Sequence, residues 1–174
     1  MKKFYLSYIY FLQNSIPQQV YEGMLSVFLA GTIVIIAMKG VKSSYRYIAF
    51  LLFIEYTFLI YCSTVIFRPK SDEAVYNFKL FWSYTECLSS GIGILRPDII
   101  MNILVFIPAG LLFSIAFGKI KCGHAILVGC LISSSIELLQ FFLHKGVSEF
   151  DDVLHNTLGF AIGYYIVNYC KKIR

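Results

Sequence analysis

Residues 125–143 read AILVGCLISSSIELLQFFL, nineteen positions in which Glu137 is the one charge. A helix of that length rises about 28 Å, close to the roughly 30 Å of hydrocarbon in a bilayer. Three more runs have the same character: Val20–Met38, Tyr47–Phe67 and Ile99–Phe117. A fifth, Val153–Tyr169, is shorter but within the usual range for a span. The whole chain agrees with its runs. Its 174 residues are 58% hydrophobic and 14% charged, against about 25% charged in a soluble domain. That leaves too little polar surface to cover one soluble core, and the length excludes a soluble multidomain enzyme. A β-barrel would alternate apolar and polar residues over roughly 10-residue segments, which these runs do not. The expected fold is an all-α, polytopic transmembrane helical bundle of about five spans.

Three units follow from the runs. Residues 1–19 form an N-terminal interfacial or re-entrant segment, since Phe4–Leu12 is too short to span. Residues 20–67 hold the first two spans, and 68–174 hold an outer loop with the remaining three. The five cysteines form no CxxC or similarly close pair, so neither a disulfide framework nor a zinc site is expected. His124, His144 and His155 show no metal-ligand spacing and read as interfacial or packing residues, with a role beside the polar cluster left open for His155, the nearest to it. No metal site is expected, the cofactor stays unassigned, and no nucleic-acid partner is expected.

Basic residues orient the spans. The loop at 39–46, the loop at 118–124 and the tail carry Lys39, Lys42, Arg46, Lys119, Lys121, Lys171, Lys172 and Arg174 without one acid. With five spans these segments share a side, which predicts a cytoplasmic C-terminus and an outside N-terminus. Lys2 and Lys3 argue the other way. Under this orientation Glu137 and Gln140 lie about 9 and 4–5 Å below the outer end of their span. Asn102 and Asn156 lie one turn below the same surface, and Asp151, Asp152, Arg68 and Lys145 lie beside it.

The spacings bring these residues onto shared faces. Glu137 and Gln140 are i,i+3, and Asp152 and Asn156 are i,i+4. Asp151 or Asp152 can cap the last span. A carboxylate inside a bilayer is costly unless it is paired or faces water. One reading makes the cluster a lock, with Arg68 or Lys145 neutralising Glu137. The other makes it a functional cleft in the outer leaflet. In that case Glu137, Asp151 and Asp152 are the candidate catalytic groups, and Arg68, Asn102, Gln140, Lys145 and Asn156 the candidate ligand contacts. Asn77–Tyr84 (NFKLFWSY) is aromatic enough to lie in the membrane interface. Gly159 and Gly163 form a GxxxG pair suited to close helix packing.

Three motifs in order, Asn102–Gly110 (NILVFIPAG), Glu137–Gln140 (ELLQ) and Gly146–Gly163 (GVSEFDDVLHNTLGFAIG), resemble the VanZ-like family of small bacterial membrane proteins. The resemblance covers about residues 65–167. Lys145 stands before Gly146 where the family's pattern has Arg, and Lys lacks the bidentate fork. The resemblance implies a protein of the bacterial cell membrane acting at the envelope, in glycopeptide (teicoplanin-type) resistance. Expected partners are membrane lipid and a lipid-linked cell-wall precursor or lipoglycopeptide. An enzyme acting on a lipid head group or wall precursor through Glu137, Asp151 and Asp152 is the alternative, although no nucleophile motif or phosphate-binding glycine loop accompanies them.

Overall fold

The computed structural model describes residues 16–90 and 97–173. The segment Phe4–Leu12, read as interfacial or re-entrant, lies outside the described residues. Among the described residues six helices carry the fold: α1 (Gln18–Lys39), α2 (Val41–Tyr61), α3 (Trp82–Ser90), α4 (Pro97–Phe117), α5 (Cys122–Leu143) and α6 (Phe150–Ile173). α2 runs on into a π-helical turn, Cys62–Ile66. Two three-residue strands, β1 (Val75–Asn77) and β2 (Val147–Glu149), pair in parallel.

Among the described residues four segments are long and apolar enough to cross a membrane, by length and composition: Gln18–Lys39, Ser44–Ile66, Pro97–Phe117 and Cys122–Leu143. α6, at 24 residues, is about 36 Å long and matches the fifth run. Its hydropathy is lower because it carries Asp151, His155 and Asn156, all of which are buried. The bundle buries a set of polar residues beside an apolar, aromatic core and turns large apolar side chains outward. Ser133, Glu137, Gln140 and Asn156 are buried, whereas Leu25, Ile33, Phe58, Leu104, Leu131, Phe142 and Leu158 are exposed. A water-soluble domain does not expose so many large apolar side chains over contiguous faces. Here lipid takes the place of water around the helices.

Glycine sets the closest helix contact. A Cβ on Gly159 would lie 2.1 Å from the Ile103 carbonyl oxygen, and one on Gly163 would lie 2.2 Å from that of Ile107. The backbones of α4 and α6 therefore touch, with only hydrogen fitting between them. Small residues allow this van der Waals association where no hydrophobic drive exists between helices in lipid. Phe160, one residue beyond Gly159, is fully buried at the centre. Its ring meets Phe113 of α4 at 5.4 Å and Phe53 of α2 at 6.3 Å. Tyr56 ties α2 to α4 by donating to the Val105 carbonyl at 2.8 Å. α1 buries no residue of its own and packs against α2. Gly40, at φ +73°, reverses the chain between them, a backbone region open to glycine at little steric cost.

Candidate functional site

The polar end of the bundle is built from helix termini. The π-helical turn closing α2 leaves carbonyls that have no partner within the helix. Gln140 of α5 donates its amide to the Thr64 carbonyl at 3.0 Å, and the Lys145 ammonium donates to that of Ile66 at 2.6 Å. A cation suits that position, because a helix C-terminus carries partial negative charge. α5 ends at His144, whose φ of 55° turns the chain back. Strand β2 follows, and the Glu149 N–H donates to Glu137 Oε2 at 2.8 Å. β1 lies alongside in the register Val75↔Val147, Tyr76↔Ser148, Asn77↔Glu149. The loop that carries β1 is thereby pinned over the end of α5 and the start of α6.

Between α5 and α6 the polar side chains form two levels one turn apart. In the lower, Asn156 donates its amide to Ser133 Oγ at 2.8 Å. Four residues along each helix stand Glu137 and Asp152, the upper level. Glu137 is 6% exposed, and the charges of Asp152, Glu149 and Arg68 all act on it. The guanidinium of Arg68 packs against Gly146, where a Cβ would meet Nη1 at 2.6 Å. Gln140 Oε1 and Asn156 Oδ1 are buried with no hydrogen-bond partner. Both amides commit their NH2 to the bundle and leave the oxygen unanswered. Buried polar atoms are normally satisfied by protein, water or ligand.

The sequence candidates are thus sorted. Glu137, Gln140, Asp152 and Asn156 come together at the α5–α6 seam, with Arg68 beside them. Lys145 is at the same end, but its ammonium is on the Ile66 carbonyl rather than on Glu137. Asn102 is half-buried on α4, next to Ile103, which touches Gly159 of α6. Asp151 goes elsewhere. It is fully buried, and its two oxygens accept the N–H groups of Phe81 at 2.7 Å and Ser83 at 3.0 Å. It caps α3 rather than its own helix, since the backbone at Phe81 (φ 59°) aims those donors at α6.

Three contributors escaped the sequence reading. Ser133 had a signal, standing four residues before Glu137 on the same face. Thr64 had none, because it contributes a carbonyl. Tyr84, within the aromatic segment, bonds His155 Nε2 at 2.8 Å. Among the described residues, no group of three or more His, Cys, Asp or Glu could hold a metal ion.

Apolar walls around an apolar core, with an acid-bearing polar seam at one end, define a polytopic helical membrane protein with an intramembrane polar cluster. A family model described as VanZ/LLP1 matches residues 47–171, and the chain belongs to that family. It is similar to the protein VanZ of Enterococcus faecium, at 29% identity over 75 residues, 43% of this chain and 47% of that protein. The match thus spans about half the length of that relative. No solved structure matches. α1 precedes the matched region.

Proposed function

We propose that the polar end of the bundle faces outward at the bacterial cell envelope and binds a lipid-linked wall precursor or a lipoglycopeptide. Through that binding the protein contributes to teicoplanin-type glycopeptide resistance. The N-terminus is then outside and the C-terminus cytoplasmic. The acid-free basic loops Lys39–Arg46 and Lys119–Lys121 support this, since they lie at the other end of the bundle.

One observation carries the reading. Glu137, Asp152 and two partnerless amide oxygens, Gln140 Oε1 and Asn156 Oδ1, gather at the α5–α6 seam beside Arg68. A bilayer penalises such a cluster unless it serves a ligand or a cavity. Arg68, Asn102, Gln140, Lys145 and Asn156 are the proposed ligand contacts. Isothermal titration of the protein in nanodiscs with a lipid-linked precursor and with teicoplanin tests the proposal. Saturable binding of either is the expected result, and binding of neither rejects it.

A membrane-embedded enzyme is the second reading, favoured by the approach of Asp152 to Glu137 at the mouth of the seam. Paired carboxylates can divide acid and base roles. Asp151 fits this reading less well, because backbone donors occupy both of its oxygens. A purified activity lost in Asp152→Ala would select it.

A further inference from the structure

The end of the bundle away from the seam carries one sign of charge. Segments 39–46, 118–124 and 170–174 hold eight Lys and Arg residues and no Asp or Glu. The fold brings the three together at Gly118, which turns the chain out of α4 at φ +77°. A Cβ on Gly118 would lie 3.4 Å from Cζ of Arg46, at the start of α2. From α6, Lys171 Nζ donates to the carbonyls of Ser114 at 3.2 Å and Gly118 at 3.5 Å. These carbonyls close the end of α4, where a helix terminus suits a cation. The contacts hold the ammonium in place and use two of its three donors. Cations gathered without an acid among them favour an anion.

Beside Lys171 a groove of about 270 Å³ opens between α4 and α6, lined by Ile115, Ile166, Val167, Cys170 and Lys171. Lys171 is its one charged wall. The α6 wall runs from Ile166 to Lys171, a rise of about 7.5 Å along the helix. The groove therefore has a direction, with the cation at the end of the bundle and the apolar walls leading from it toward the middle of the bilayer. Pockets that enclose a small molecule measure roughly 300–1,000 Å³. This one is smaller, and Ile166 is 44% exposed, so it is a track open to lipid. An anionic head with an alkyl tail matches both of its ends.

We propose that Lys171 and this groove bind an anionic phospholipid, its phosphate on Lys171 in the field of Arg46 and one acyl chain along Ile166 and Ile115. Basic pockets between transmembrane helices take such head groups. The site lies at the opposite end from Glu137 and does not depend on what the seam takes.

The full chain in nanodiscs tests it. Two lipid probes carry the same acyl-chain diazirine, one on phosphatidylglycerol and one on phosphatidylcholine, and peptide mass spectrometry maps the adducts after illumination. Adducts of the anionic probe should concentrate on Ile115, Ile166 and Cys170 and exceed those of the zwitterionic probe there. Lys171→Gln should cut this labelling about fivefold. Lys172→Gln, which removes the same charge outside the groove, should leave it near the wild-type level. Ile166→Trp, at a position open to lipid, should fill the track and abolish labelling at Ile115 and Cys170. Equal labelling by the two probes, adducts spread evenly over the lipid-facing positions of α4 and α6, equal losses in the two lysine variants, or full labelling of Ile166→Trp overturns the site. If Lys171→Gln does not fold, the two probes and Ile166→Trp decide.

Discussion

Asp151 is the acid whose loss should cost stability rather than ligand contact. Its carboxylate is fully buried and accepts N–H groups from Phe81 and Ser83 at 2.7 and 3.0 Å. Hydrogen bonds to a charged group contribute about 1.5–3 kcal/mol each, and a buried donor left alone costs a similar amount. Asp151→Asn keeps one acceptor but makes it neutral, and turns an NH2 toward the second N–H. The expected loss is about 3 kcal/mol, concentrated at the start of α3. Thermal unfolding in detergent should fall by about 6–12 °C at this chain length. Hydrogen exchange should quicken at the Phe81 and Ser83 amides while the α4–α6 core stays protected. Unchanged melting and unchanged exchange, with resistance lost, would refute the reasoning and return Asp151 to the ligand.

Glu137→Gln and Asp152→Asn should behave oppositely, since each keeps size and hydrogen bonding while removing a charge that is buried at Glu137 and partly buried at Asp152. Both variants are expected to fold with little change in melting temperature and to lose the proposed resistance phenotype; full activity in both would make the cluster a structural lock. Gly163→Ala should destabilise by about 2–3 kcal/mol, because its Cβ would sit 2.2 Å from the Ile107 carbonyl oxygen. Wild-type stability in detergent would show that α4 and α6 part without cost. A cysteine added after Arg174 should resist an impermeant thiol reagent applied to intact cells, and ready labelling would reverse the proposed orientation.

The spans were legible because hydrophobic runs report directly on length against bilayer thickness. The α5–α6 seam was legible for a related reason: Glu137 with Gln140, and Asp152 with Asn156, are local spacings that any helix turns into a shared face. What stayed hidden depends on contacts distant in sequence. β1 and β2 are three residues each, 72 positions apart in register, too short to show a periodicity. The partner of Asp151 is backbone at Phe81 and Ser83, which has no residue-type signal. For the same reason the sequence could offer Arg68 or Lys145 as the cation beside Glu137 but not show that Lys145 turns to the Ile66 carbonyl, which a π-helical turn presents. Tyr84 was visible as one of many aromatics in Asn77–Tyr84, but its bond to His155 exists only once α3 docks on α6.

On the reading proposed above, the seam around Glu137 holds a ligand from the envelope. Native mass spectrometry of the protein released from its own membranes tests this most directly. The wild type should carry a bound lipid-linked precursor or other head-group-bearing lipid, and Glu137→Gln, equally folded, should lose it. No bound species on the wild type, or the same species at the same occupancy on both, would contradict the account.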